Sequence, residues 1–162
     1  MTDFARLLDA LATHDVGYII IGGFAATAHG SAFLTVDLDV VYDRTPQNIS
    51  RLVAALEPLS PYLRGAPAGL PFRFDAETVA RGLNFTLRTS AGDLDLLGEA
   101  TGGGTYDALM AHTDLREVFG YRCRFVDLET LIRLKRAAGR PKDMERIAEL
   151  EALRQERGNP RG

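Results

Sequence analysis

The stretch "IIIGGFAATAHGSAFLTVDLDVVYDR", residues 19–44, carries the pattern that decides the fold. Its isoleucines, preceded by Tyr18, form a short apolar run that predicts a buried strand, and Gly22 and Gly23 end it. "FAATAHG" is short, alanine-rich and closed by Gly30, the pattern of a small helix packed tightly against a sheet. The first turn of such a helix leaves free N–H groups above the strand end, where an anion is favoured. "TVDLDVVY" then alternates with period 2. This places Val36, Leu38 and Val40 on one face of a second strand and Asp37, Asp39 and Val41 on the other.

Carboxylates at i and i+2 of a strand stand about 6–7 Å apart at their Cα atoms, given a rise of ~3.3 Å per residue. From there both can reach one divalent cation or bracket a pair of them. Left unpaired in a low dielectric they repel each other, which raises a pKa or recruits a cation. The plainer alternative is an edge strand whose alternating acids face water and need no function. A third carboxylate favours the first reading. In "AGDLDLLG", Asp95 lies within a strand that is otherwise apolar, whereas Asp93 is beside a turn and open to solvent. Asp37, Asp39 and Asp95 are thus the candidate metal-binding and catalytic set.

The rest of the chain supplies helices around these strands. Phe4, Leu7, Leu8 and Leu11 recur at helical spacing and predict a first helix that stops before Gly17. Thr45 can cap a helix with Pro46 at its first position and Ile49, Leu52, Val53 and Leu56 along one stripe. Pro58 to Pro71 holds four of the seven prolines and reads as a loop. A short helix is expected in "RFDAETVARG", then strands in "LNFTLRTS" and "DLDLLG" joined by a tight turn at Ala91 and Gly92. "GGG" at 102–104 reads as a flexible connector, "TYDALMAH" as a short helix, and "LREVFGYRCRFV" as a strand pair turning near Gly120. Asp127 can cap a helix bearing Leu128, Leu131, Ile132 and Leu134, and a last helix from about Pro141 carries Ile147, Leu150 and Leu153. The expected architecture is one layered α/β (α+β) domain over residues 1–156, with a disordered tail at 157–162.

Bulk properties narrow the function. At 162 residues and 17.7 kDa one domain can bury its own core without disulfides. A net charge of −3 and a pI near 5.6 exclude a strongly basic nucleic-acid coat. "MTDFARLLDAL" has neither the basic start nor the apolar core of a secretory signal, so the cytoplasm is the expected compartment, with no membrane span. Cys123 is the single cysteine, which excludes an intrachain disulfide or thiolate cluster, and its alternating context reads as a core strand residue. His29 reads as a helix cap or partly buried residue, Lys142 with Asp143 as an ordinary helix-start pair, and His14 and His112 carry no signal.

"GGFAATAHG" followed by "TVDLDVV" resembles the opening of a minimal nucleotidyltransferase of the DNA polymerase beta superfamily, and is similar to the AbiEii-like and MNT-like proteins of toxin–antitoxin and phage-defence loci. The resemblance extends over roughly residues 4–153 and implies a mixed central sheet flanked by helices, with a C-terminal helical segment. It implies that Gly22 and Gly23 hold a nucleotide triphosphate and that Asp37, Asp39 and Asp95 bind metal, two Mg2+ ions with an NTP as substrate. In "LETLIRLKRAAGRPKDMERIAEL" it matches Lys135, Arg140, Lys142 and Asp143, with Lys135 and Arg140 as candidate triphosphate ligands. The implied activity is transfer of an NMP to a hydroxyl on a tRNA, a protein or a small molecule. A co-encoded partner protein and a homo-oligomer are its candidate assemblies.

One position departs from the pattern. Relatives often carry an Arg in a "GSxRxTxD" motif, whereas this chain reads "GSAFLTVD" with Phe33 in that place. Phe33 cannot neutralise a phosphate, so either another base does so or catalysis is weakened. The competing expectation is therefore a nucleotide-binding regulatory module, antitoxin-like, that acts through a partner without transfer.

Overall fold

The structure is a computed structural model and describes residues 1–158. The chain opens with α1 (Phe4–Thr13), where the Asp3 side chain accepts from the Arg6 N–H and Leu7, Leu8 and Leu11 are buried. β1 (Tyr18–Ile21), α2 (Gly22–Ala28) and β2 (Asp37–Tyr42) follow as the apolar run, the glycine pair and the alternation require. α3 (Pro46–Leu56) starts at the Thr45 cap with Pro46 at its first position. Then come β3 (Tyr62–Leu63), α4 (Ala76–Arg81), β4 (Asn84–Thr89), β5 (Gly92–Leu97), β6 (Glu99–Ala100), β7 (Gly104–Thr105) and α5 (Tyr106–Met110). β8 (Thr113–Val118) and β9 (Tyr121–Val126) form the hairpin around Gly120, and α6 (Leu128–Ala138) and α7 (Met144–Gly158) end the described chain.

Seven strands form one mixed sheet in the order β3-β4-β5-β2-β1-β9-β8, and β6 and β7 pair separately. β2 is at its centre, antiparallel to β1 and parallel to β5. A central position removes the plain reading of Asp37 and Asp39 as acids on an edge strand. Leu38 and Val40, on the opposite face of β2, are fully buried. α1 packs on α3 and α3 on α4, while α2, α6 and α7 form a second packed group. The core joining them includes Leu7, Ile19, Ile20, Leu38, Leu52, Leu94, Phe125 and Leu131, all without exposed surface.

Four local expectations change. The proline-rich segment is not all loop: it contains a 3-10 turn at Glu57–Leu59 and the edge strand β3. The glycines at 102–104 are packed rather than flexible, since a Cβ on Gly102 would overlap that of Ala137 and one on Gly103 would overlap Leu134. Val36 precedes β2 and is largely exposed rather than sharing a buried face with Leu38. Of the tail expected from 157, Arg157 and Gly158 belong to α7, with Arg157 bonded to His29, and residues 159–162 lie outside the described residues.

Candidate metal centre and anion cleft

The parallel register of β2 and β5 builds the acidic cluster. Asp37 lies opposite Asp93 and Asp39 opposite Asp95, so the i and i+2 spacing of each strand is repeated across the ladder. Asp37, Asp39 and Asp95 each present a carboxylate oxygen within 4.8 Å of the others. Asp39 is the most enclosed. Burial, then the negative charges of Asp37 and Asp95, push its pKa up to about 8, against a smaller opposing pull from Lys135. Asp37 is also raised, by burial first and Asp95 second.

Gly22 lets this carboxylate come so close. Its backbone is left-handed, at φ +70°, and a Cβ there would overlap the Asp39 carboxylate. Gly23 is constrained on its other side, because a Cβ would meet the Thr35 hydroxyl at 2.6 Å. The first glycine thus serves the acid and the second the segment leading to it.

The opposite wall comes from the C-terminal helices. Lys135, on α6, is almost fully buried, and burial lowers its pKa. Its Nζ is 4.0 Å from Asp143, and Arg140 Nε donates to the same carboxylate at 2.7 Å. Asp143 has no exposed surface, so it is a buried anchor for both bases rather than half of a surface helix-start pair. Arg146, on α7, places its guanidinium 5.3 Å from the centre of the Phe33 ring. Glu149 accepts from the Ser31 hydroxyl and from the Ala32 N–H, which ties the 31–36 segment to α7.

The two walls face one cleft of about 290 Å³. Gly22, Gly23, Asp37, Asp39, Asp95, Lys135 and Arg140 all line it, so the fold brings together every site residue selected from the sequence. Phe33, Lys142 and Arg146 line it as well. A second recess of about 210 Å³ continues past Asp39 and Asp95 between Leu97, Ala100, Leu131 and Ala138. His29 points away: its Nε2 bonds to the Val126 carbonyl at 2.8 Å, it is buried, and burial lowers its pKa.

The donor set fits a hard divalent cation. All three groups are carboxylates, suited to Mg2+ or Mn2+, and Asp39 Oδ1 is buried with no hydrogen-bond donor. A buried, unpartnered carboxylate oxygen beside two more acids is costly without a cation.

Arg64 is a site residue that no local pattern marks. It follows β3 in the proline-rich segment and reaches into the acidic wall, with Nη2 at 2.8 Å from Asp95, Nε at 3.4 Å from Asp93 and Nη1 at 3.8 Å from Asp37. "YLRGAP" has no periodicity, and its partners are on distant strands. Arg146 was not singled out either, although it lies in the segment "LETLIRLKRAAGRPKDMERIAEL" that carries the resemblance.

No family model matches the chain, and neither does any curated protein sequence. Among solved structures, the fold matches a crystal structure of a Thermotoga maritima protein described as a "putative nucleotidyltransferase" (TM1012), with a TM-score of 0.53 over 94% of this chain and 88% of that one. The chain has a nucleotidyltransferase-like fold. Identity between the two is 14%, so the likeness is one of fold, and the chemistry must be argued from the residues. Among the described residues no helix is long and apolar enough to cross a membrane.

Proposed function

We propose that the protein is a metal-dependent nucleotidyltransferase that moves an NMP from an NTP to a hydroxyl acceptor. The observation that carries this reading is the cleft itself, with three clustered carboxylates on one wall and Lys135, Arg140, Lys142 and Arg146 on the other. Acids that collect divalent cations, facing bases that collect anions, suit a metal-bound polyphosphate better than any neutral ligand. Bound Mg2+ would lower the pKa of the acceptor hydroxyl and neutralise charge on the transferring phosphate.

The chain's own residues have separate tasks in this reading. Asp37 and Asp39 would hold the divalent cation, and Asp95, beside them, would help to hold it and can take the proton of the acceptor hydroxyl. The hydroxyl oxygen then bonds to the α-phosphorus while pyrophosphate leaves toward Lys135 and Arg140. Arg146 supplies the positive charge that Phe33 cannot, and the ring of Phe33 holds its guanidinium in place. A tRNA, a protein or a small molecule is the acceptor, and a toxin–antitoxin partner is the natural first protein to try.

The test is incubation with α-labelled NTPs, Mg2+ and, separately, total tRNA, a co-encoded partner protein and small alcohols. Label should enter one pool, need Mg2+ and vanish in Asp37→Asn. Nucleotide binding with no transfer to any pool would identify a regulatory module instead. Absence of both metal and nucleotide binding at millimolar concentrations would remove the enzyme reading.

A further inference from the structure

Among the described residues, Arg64 is the one base in salt-bridge contact with the acids of the β2 and β5 ladder. It is anchored from the outside. Its backbone N–H donates to the Thr86 carbonyl at 2.9 Å and its Nη2 to the Leu87 carbonyl at 2.7 Å, so both ends are tied to β4. From there the guanidinium lies against Asp95, Asp93 and Asp37 together. Its approach is close but poorly aimed: Asp95 Oδ1, 2.8 Å from Nη2, and Arg64 Nε, which faces Asp93 at 3.4 Å, are both buried without a well-directed hydrogen bond. The side chain keeps a quarter of its surface exposed, which leaves it room to move.

We infer that Arg64 is a resident counter-ion of the carboxylate cluster, which orients Asp95 and competes with a divalent cation for it. The inference rests on the metal-dependent reading above and adds a positioning residue to it. Without metal, three acids within 4.8 Å repel one another, and a guanidinium at 2.8 Å from one of them offsets part of that cost. A divalent cation at Asp95 does the same task with twice the charge and repels the guanidinium. Loading at Asp95 therefore requires Arg64 to withdraw toward Leu87 and Asp93, its remaining partners. Asp37 and Asp39 are less hindered, since the nearest Arg64 atom is 3.8 Å from Asp37 and Asp39 makes no salt bridge with it. The first cation is bound there, and the Asp95 side fills second.

The experiment is Mn2+ titration of the full chain, followed by the electron paramagnetic resonance of free Mn2+, with no turnover involved. Arg64→Gln should bind Mn2+ about tenfold more tightly than the wild type, since a competing charge a few ångströms away is gone. Arg64→Lys keeps the charge and should stay within about threefold of wild type. Arg51→Gln makes the same charge change on exposed α3 and should bind as wild type does. Equal or weaker binding by Arg64→Gln overturns the inference while leaving the metal site standing. Loss of Mn2+ binding from every protein, wild type included, overturns the metal-dependent reading itself. As a check that needs no variant, the Arg64 Nε–H resonance of the wild type must shift on saturation with Mg2+. An unchanged resonance is equally decisive against displacement.

Discussion

Asp39→Asn should stabilise the metal-free protein at alkaline pH while removing its metal response. Asp39 titrates near 8 rather than its ordinary 3.8, chiefly because burial and two neighbouring acids disfavour the charged form. The folded state therefore binds the proton more tightly than the unfolded state. Stability is unaffected by this group below about pH 4, and falls as pH rises from there to about 8. At ~1.36 kcal/mol per pKa unit, the interval from 3.8 to about 8 sets a ceiling of about 6 kcal/mol, of which about 5 is expressed at pH 8. Because the repulsion is shared with Asp37 and Asp95, and side chains and water relax around it, about half of that is the realistic gain for Asn at pH 8. A chain of this size shifts by roughly 2–4 °C per kcal/mol, so Tm should rise by about 5–10 °C at pH 8 and by little at pH 4.5. Differential scanning calorimetry in EDTA measures this, and a repeat with Mg2+ should raise Tm of the wild type but not of the variant. Equal loss of stability at both pH values would show instead that Asp39 is a structural acid and not a strained one.

Three further single substitutions, one of them paired with a compensating change, probe the supports of the cleft. Gly22→Ala puts a Cβ at φ +70° against Asp39 and should lower Tm by more than about 5 °C and weaken Mn2+ binding, read by calorimetry and titration. Asp143→Ala strands Lys135 beside Arg140 with no buried anion and should cost about 3–5 kcal/mol in urea unfolding, with a loss of affinity for a non-hydrolysable ATP analogue. Arg146→Ala should leave Tm nearly unchanged and weaken that analogue about tenfold by isothermal calorimetry. Phe33→Arg in the same chain should restore binding, since position 33 lines the same cleft 5.3 Å from the lost guanidinium.

What the sequence made legible was whatever depends on local periodicity. "TVDLDVVY" gave a strand with its acids on one face, the Thr45 and Asp127 caps marked two helix starts, and Gly120 marked a hairpin. The apolar setting of Asp95 points to an association with Asp37 and Asp39, and the parallel β2 and β5 register supplies a physical reason that no local pattern contains. Gly22, to which the resemblance assigns a phosphate contact, also makes room for a carboxylate of the next strand, a packing role that no local pattern contains. Arg64 and the burial of Asp143 were invisible for a shared reason. Each depends on which distant segments the sheet and helices bring together, and an Arg in a proline-rich loop or an Asp after a Lys looks solvent-exposed in one dimension. The packing of the glycines at 102–104 was hidden in the same way, by Leu134 and Ala137 on α6.

In the proposed reading, the acidic and basic walls of one cleft hold a metal-bound triphosphate between them. A crystal structure of the full chain with Mn2+ and a non-hydrolysable ATP analogue, phased for anomalous signal, addresses it directly. Anomalous density shared by Asp37, Asp39 and Asp95 is expected, with phosphate oxygens directed toward Lys135, Arg140 and Arg146. Analogue bound elsewhere, or an acidic cluster without anomalous density at millimolar Mn2+, would contradict this reading.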